Sequence, residues 1–193
     1  MKSSDVEILI VPGWSGSGPD HWQSRWETKL TTARRVVQED WYKPDREEWA
    51  RRIVEAVRQA TKPVVIVAHS AGVSSVAHAA EQLRPGEVAG ALLVAPASEA
   101  AKRAIPGMPA DFTEHRRETL PFPAVVVASA TDPYCSLDEA RVLAEAWGAD
   151  FVDAGDSGHL NTESGHGPWP DGLLRFAGFL RSLGPVPEKA IQH

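Results

Sequence analysis

The sequence predicts a three-layer α/β/α domain built on a six-stranded, mostly parallel β-sheet. Short apolar runs rich in β-branched residues recur along the chain, as expected of strands buried on both faces. Between these runs lie segments whose apolar residues recur at helical spacing. Hydrophobic residues make up 42% and charged residues 24% of the 193 residues, which is ordinary for a single globular domain.

Each element has a local signal. The predicted strands are 6–11, 35–38, 64–67, 88–94, 124–130 and 149–153. The predicted helices are 21–30, 44–60, 70–83, 136–147 and 169–180. Asp20 is placed to cap the first helix, Pro44 and Asp45 open the second, and Pro85 and Gly86 end the third. Strands and helices therefore alternate along the chain, as they do when helices cover both faces of a parallel sheet.

Two segments depart from this alternation. The stretch 97–123 contains Pro106, Gly107 and Pro109 and predicts a small flap after the fourth strand, since it is too short for a cap domain. From Gly184 onward the chain is polar and rich in proline. We expect one domain over residues 1–183 and a flexible tail over residues 184–193.

The third strand ends in a pattern typical of a nucleophile elbow. Residues 68–72 read Ala-His-Ser-Ala-Gly, so that Ser70 sits at a sharp strand-to-helix turn between small residues. Such a turn lifts the serine hydroxyl above the end of the sheet. Ala68 stands where the usual G-x-S-x-G pattern has glycine, which is a mild departure. The alternative is a serine that caps an ordinary helix.

An acid and a base follow Ser70 in the order that such an elbow requires. Asp132 lies just past the fifth strand, although an aspartate before proline is equally suited to opening a turn. His159 lies in a glycine-rich loop between the last strand and the last helix, where a base must lie to reach back over the sheet. His166 competes for this role from a similar loop, and we favour His159 because it is closer to the strand end. His21 and His69 are weaker candidates.

The loop after the first strand predicts an oxyanion hole. Residues 12–18 read Pro-Gly-Trp-Ser-Gly-Ser-Gly, and the glycines leave backbone N–H groups accessible. The N–H of Trp14 or of Ser15 is expected to act together with that of Ala71. The glycines do not fit the spacing of nucleotide-binding loops. Trp14 and Trp169 flank the expected site and are candidates to line an acyl or aromatic pocket, with packing in the core as an equally good alternative.

Composition bears on partners and cofactors. A net charge of −6 and a pI near 5.6 argue against nucleic-acid binding. The sole cysteine, Cys135, is expected to be a packed or loop thiol and not a nucleophile. We expect no membrane span and, by default, a cytoplasmic location. No cofactor is expected, and a metal site formed by His159, Glu163 and His166 would match no standard zinc spacing.

Together these motifs resemble those of the α/β-hydrolase superfamily. The chain is most similar to the small serine hydrolases typified by retinoblastoma-binding protein nine and its bacterial relatives. The resemblance rests on Val11–Trp14, Asp20–Gln23, Asp40–Trp41 with Pro44 and Trp49, Ala68–Gly72, Thr131–Pro133 and Gly158–Asn161. It implies a minimal hydrolase fold that lacks the first two strands of larger members. It also implies a triad of Ser70, Asp132 and His159.

These observations predict acyl transfer to water from a small ester or amide, with a small-molecule acyl substrate as the partner. The alternative is a protein-interaction module that keeps the hydrolase fold but has little or no turnover. A partner protein is possible in either case, although nothing in the sequence indicates one. The acyl group and the leaving group cannot be read from the sequence.

Overall fold

A computed structural model describes residues 1–184 and contains a six-stranded, all-parallel sheet with the strand order β2-β1-β3-β4-β5-β6. The strands are β1 Glu7–Val11, β2 Ala33–Arg35, β3 Val64–His69, β4 Val88–Val94, β5 Ala124–Ala128 and β6 Asp150–Asp153. The predicted fold class is therefore confirmed. Because every strand is parallel, the carboxyl ends of all six lie at one edge, where loops from distant parts of the sequence meet.

Seven helices accompany the strands within residues 1–184, and the last of them follows β6. They are α1 Trp22–Lys29, α2 Arg46–Gln59, α3 Ala71–Ala79, α4 Glu99–Arg103, α5 Ala110–Thr113, α6 Leu137–Trp147 and α7 Pro170–Ser182. Short 3₁₀ turns lie at Ser3–Asp5 and Ala80–Gln82. Between β4 and β5 the chain forms only α4 and α5, which makes the stretch 97–123 a small flap, as predicted.

Two apolar layers hold the helices against the sheet. Alternate residues of β1 point to opposite faces, with Leu9 in one layer and Ile8 and Ile10 in the other. Helices α2, α3 and α6 contribute to the layer that contains Leu9, while α1 and α7 contribute to the opposite layer. The fold therefore has the three layers that the sequence predicted, namely helices, sheet and helices, with one apolar cluster on each face of the sheet.

Two local predictions were wrong. Strand β2 pairs with β1 through Ala33–Arg35 and not through residues 35–38, because Ala33 is in register with Ile8. By Val37 the chain has left the sheet edge, and that side chain is 64% exposed. Helix α1 is capped by His21, whose Nδ1 accepts a hydrogen bond from the backbone N–H of Gln23.

Two further predictions concern the C-terminal tail and the absence of a membrane span. Of the predicted tail, residues 185–193 lie outside the described residues. Within residues 1–184, no helix is both long and apolar enough to cross a membrane.

Candidate active site

Ser70 occupies a strained turn between β3 and α3. Its backbone has φ 56° and ψ −128°, a conformation whose cost, of order 1–3 kcal/mol, the surrounding packing must offset. Gly72 allows the turn to lie close to the end of β1, since a Cβ there would lie only 2.5 Å from the carbonyl oxygen of Pro12. The Ser70 side chain makes no capping hydrogen bond to α3. The simple capping interpretation is therefore wrong, and the hydroxyl remains available for other contacts.

Ser70, His159 and Asp132 form one continuous hydrogen-bonded chain. The Nε2 atom of His159 lies 2.9 Å from Oγ of Ser70, and its Nδ1 lies 2.8 Å and 3.0 Å from the two carboxylate oxygens of Asp132. An ionised carboxylate can only accept hydrogen bonds, so Nδ1 of His159 carries the proton. Nε2 is then left to accept the hydrogen bond that the Ser70 hydroxyl donates. The arrangement is suited to removing a proton from Ser70.

Neighbouring groups fix the acid and the base of this chain. The backbone N–H of Tyr134 donates to Asp132 at 2.9 Å, and the Tyr134 ring packs edge-on against the imidazole of His159. On the other side, Nε2–H of His69 donates to the carbonyl oxygen of His159 at 2.9 Å. Burial, and secondarily the nearby His159, hold the pKa of His69 well below its usual range. His69 is therefore a neutral support beside the triad residues.

The competing histidine is not part of this chain. Nδ1 of His166 lies 3.3 Å from Oγ of Ser164, and its backbone N–H donates to the carbonyl oxygen of Asn161. The structure thus brings His159, and not His166, to Ser70.

The loop after β1 places backbone N–H groups beside Ser70. A Cβ on Gly13 would lie 2.9 Å from Cβ of Ser70 and 3.0 Å from the backbone nitrogen of Ala71, which shows how closely the loop approaches the elbow. The N–H of Ser15 donates to the carbonyl oxygen of Trp41 at 2.9 Å. Within residues 1–184, the N–H groups of Trp14 and Ala71 have no hydrogen-bond partner. Of the two candidates in the loop, Trp14 is therefore the available donor.

A cavity of about 420 Å³ opens above Ser70. Its walls include Trp14, His21, Lys102, Tyr134 and His159.

Trp169 does not line this cavity, which corrects the pocket role considered for it. Its side chain is only 5% exposed and packs against Trp22 and Trp26, with ring centroids 4.9 Å and 6.1 Å away. The packing alternative is the one that the structure shows, because Trp169 caps the apolar layer between α1 and α7.

Comparisons with known proteins show the family and the fold of the chain. The family model described as serine hydrolase matches residues 8–178. The chain belongs to the serine hydrolase family. It is 34% identical to a YdeN-like hydrolase from Pectobacterium atrosepticum, with a TM-score of 0.82 over 95% of each chain. A search of curated proteins finds no match.

More distant structures share the fold of this serine hydrolase. The ydeN gene product of Bacillus subtilis is 19% identical, with a TM-score of 0.76 over 91% of this chain and 98% of the other. Esterase 2 of Thermogutta terrifontis is 18% identical, with a TM-score of 0.65 over 98% of this chain and 87% of the other. The narrower resemblance to retinoblastoma-binding protein nine is not tested by these matches and stays a prediction.

One residue of the cavity wall, His21, was ranked as a weak candidate from the sequence of the hydrolase, and another, Lys102, was missed. His21 was a weak candidate because it does not follow a strand, yet it lies in the cavity wall. Its Nδ1 accepts from Gln23, and its buried Nε2 has no partner within residues 1–184. Burial lowers the pKa of His21 to about 4, so the side chain is neutral at pH 7. The motif Asp20–Gln23 could have indicated His21 as a site residue, whereas no sequence pattern indicated Lys102.

The described residues do not support a cysteine nucleophile or a metal centre at this site. Cys135 is buried, and burial raises the pKa of its thiol to about 12, which leaves it an unreactive thiol at neutral pH. In the part of the chain that the structure describes, no group of three or more His, Cys, Asp or Glu side chains is arranged to hold a metal ion. That part of the chain includes His159, Glu163 and His166.

Proposed function

We propose that this hydrolase transfers the acyl group of a small ester or amide to water, with Ser70 as nucleophile, His159 as general base and Asp132 as the residue that orients the base. The observation that carries the proposal is the position of His159, whose two ring nitrogens bridge the Ser70 hydroxyl and the Asp132 carboxylate. A serine hydroxyl is a weak nucleophile until a base accepts its proton, and this bridge supplies the base.

The reaction would proceed in two halves. As Oγ of Ser70 bonds to the substrate carbonyl carbon, its proton passes to Nε2 of His159. The backbone N–H groups of Ala71 and Trp14 would stabilise the oxyanion, helped by the N-terminal end of α3. Collapse of this intermediate breaks the bond to the leaving group, which takes the proton from His159. Water then loses a proton to His159 and attacks the acyl-enzyme. As this second intermediate collapses, the bond to Oγ of Ser70 breaks, Oγ takes the proton back from His159, and the acid is released.

Labelling with a fluorophosphonate probe tests this assignment. The full-length protein should be modified on the peptide that contains Ser70, and it should hydrolyse p-nitrophenyl butyrate. Ser70→Ala should abolish labelling and lower turnover by at least about 10³-fold, because loss of the equivalent serine in an unrelated protease costs about 10⁶-fold. Ser182→Ala is a suitable control, since that hydroxyl only donates to a carbonyl near the end of α7.

Two results would contradict the proposal. If labelling persisted in Ser70→Ala, another residue would be the nucleophile. If the folded wild-type protein turned over none of a panel of activated esters and amides, the role as a binding module would be favoured instead.

A further inference from the structure

A buried amine lines the same cavity as Ser70 and forms no ion pair within residues 1–184. Lys102 extends from α4 in the flap, and its side chain is only 1% exposed. Its Nζ donates to Oγ of Ser74 at 2.7 Å, and within residues 1–184 it has no other hydrogen bond and no carboxylate within 4.0 Å. Buried lysines without a paired charge are rare because desolvating an ammonium group is costly.

The hydrogen-bond network around Lys102 cannot compensate its charge. Nε2 of His115 donates to the carbonyl oxygen of Ala97 at 2.9 Å, so Nδ1 is left to accept, at 3.3 Å, from the hydroxyl of Ser74. Ser74 therefore accepts from Lys102 and donates to His115. Burial lowers the pKa of His115 to about 3, which keeps that imidazole neutral. Both members of this network are thus uncharged, while Glu99, the carboxylate whose charge favours protonation of Lys102, is itself paired with Arg103 and Arg117.

The amine is also close enough to Ser70 to contact the same small substrate. Ser74 lies four residues after Ser70 along α3, which corresponds to an axial rise of about 6 Å. Three apolar residues near Lys102 in sequence, Ala97, Ala101 and Ile105, also line the cavity. A substrate anion that reached Lys102 would therefore find one strong partner in an environment of low dielectric constant, where the attraction between charges is increased.

We propose that Lys102 binds a carboxylate carried by the substrate itself, about one helical turn from the scissile carbonyl. This inference rests on the proposed hydrolysis at Ser70 and specifies its substrate class: half-esters of short dicarboxylic acids, or esters whose leaving group carries a carboxylate. The substrate carboxylate would complete the hydrogen bonding of the ammonium group, in place of water. Burial lowers the pKa of Lys102 to about 7 in the empty site, and a bound carboxylate would favour its charged form.

Matched esters at pH 7 test the inference. Monoethyl succinate carries the charge on the acyl side, butyryloxyacetate carries it on the leaving-group side, and ethyl butyrate is uncharged. Acid release in a pH-stat gives kcat/KM for each ester. We expect at least one charged ester to exceed ethyl butyrate by about tenfold or more, which is the effect of one hydrogen bond to a charged group. The better of the two charged esters shows on which side the carboxylate is bound.

Substitutions of single residues test whether the Lys102 amine causes this preference for charged esters. Lys102→Met should lower the ratio of charged to uncharged kcat/KM by about tenfold or more. Lys62→Met makes the same substitution at an exposed lysine, whose Nζ donates to the carbonyl oxygen of Ser4, and should leave the ratio unchanged. The inference is wrong if the wild type prefers ethyl butyrate to both charged esters, or if the preference survives in Lys102→Met.

Inhibition of the wild-type protein provides a test that does not depend on the folding of a variant. Succinate should inhibit the hydrolysis of ethyl butyrate at least about tenfold more strongly than butyrate does, because only succinate can place a carboxylate at Lys102 while the other lies near Ser70. Equal inhibition would overturn the inference while leaving hydrolysis at Ser70 intact. If none of the esters is hydrolysed by the wild type, the proposed function itself fails.

Discussion

Two clusters of side chains, here called the catalytic wall and the flap wall, differ in how completely their polar groups are satisfied. Ser70 and His159 of the first cluster and Lys102 of the second line the cavity, and the other members lie behind them. On the catalytic wall, formed by Ser70, Asp132 and His159, both ring nitrogens of His159 have hydrogen-bond partners from this wall. On the flap wall, formed by Ser74, Lys102 and His115, a buried amine has one neutral partner. Both walls are nearly dry: the Asp132 side chain is 2% exposed, and Lys102 is 1% exposed.

Because of this difference, the two walls are suited to separate tasks: one to proton transfer and the other to recognition of the substrate. The catalytic wall is already arranged for proton transfer, so a substrate needs only to be positioned there. The flap wall holds a buried amine whose one hydrogen bond within residues 1–184 is to the neutral Ser74, so it is suited to selecting a substrate that brings a carboxylate. A group that is unsatisfied without ligand discriminates well, because ligands that lack the complementary group leave it unpaired.

The largest effect is expected for Asp132→Asn on the catalytic wall. The amide cannot compensate the positive charge that His159 acquires, and it can hold the imidazole in the wrong tautomer. We expect kcat to fall by about 10³- to 10⁴-fold with little change in KM, measured on p-nitrophenyl butyrate. Asp138→Asn, at an exposed position in the first turn of α6, should change kcat by less than about twofold. A loss below about tenfold for Asp132→Asn would show that the hydrogen-bonded chain is not the catalytic unit.

A smaller loss is expected where the loop after β1 contacts the elbow. Gly13→Ala would place a Cβ within 3.0 Å of Cβ of Ser70 and of the backbone nitrogen of Ala71. The loop would have to move away, taking the Trp14 N–H with it. We expect kcat of the folded variant to fall by about 10- to 100-fold, because a displacement near 1 Å can cost about that much.

Gly178→Ala is the matched control for this substitution. Its Cβ would meet nothing within 4 Å, and the residue lies inside α7. We expect unchanged kcat and a free energy of unfolding higher by about 0.5–1 kcal/mol, as for an unstrained glycine replaced by alanine in a helix. Full activity in Gly13→Ala would show that the close approach of this loop is not needed for turnover.

The catalytic wall could be predicted from sequence because each of its residues follows a strand. The apolar run before Ser70, the run before Asp132 and the glycines around His159 mark positions at the carboxyl ends of strands. In a parallel sheet these ends share one edge, so linear order alone brings the three loops together. The choice between Trp14 and Ser15 could not be made in this way, because it depends on a hydrogen bond from Ser15 to the distant Trp41.

The flap wall could not be predicted, for a physical reason. Lys102 lies in the sequence Glu-Ala-Ala-Lys-Arg, which is typical of a solvated helix. Its burial results from tertiary packing that brings its Nζ to Ser74 of α3, and no local pattern encodes that contact. His115 lies in a polar stretch and is buried for the same reason. Trp169 illustrates the reverse case, since its position in sequence suggested the cavity while its packing belongs to the core.

The smallest effect is expected on stability, from His115 on the flap wall. Burial, and secondarily Lys102, lower the pKa of His115 to about 3, while in the unfolded chain it should be near 6.5. Below pH 6.5 the unfolded state therefore binds a proton that the folded state does not, so stability falls as the pH drops from 6.5 towards 3. Between pH 6.5 and 5 this one histidine should cost roughly 2 kcal/mol.

His115→Gln should remove that part of the pH dependence, because glutamine keeps a donor and an acceptor but does not titrate. Urea unfolding of wild type and variant at pH 8, 7, 6 and 5 measures the difference in free energy of unfolding between them. That difference should be constant from pH 7 to 8, where imidazole is neutral in both states, and should shift in favour of the variant by roughly 1–2 kcal/mol at pH 5. A difference that stayed constant down to pH 5 would mean that His115 takes up a proton as readily in the folded flap as in the unfolded chain. The flap wall would then be open to water, and the contrast with the catalytic wall would be lost.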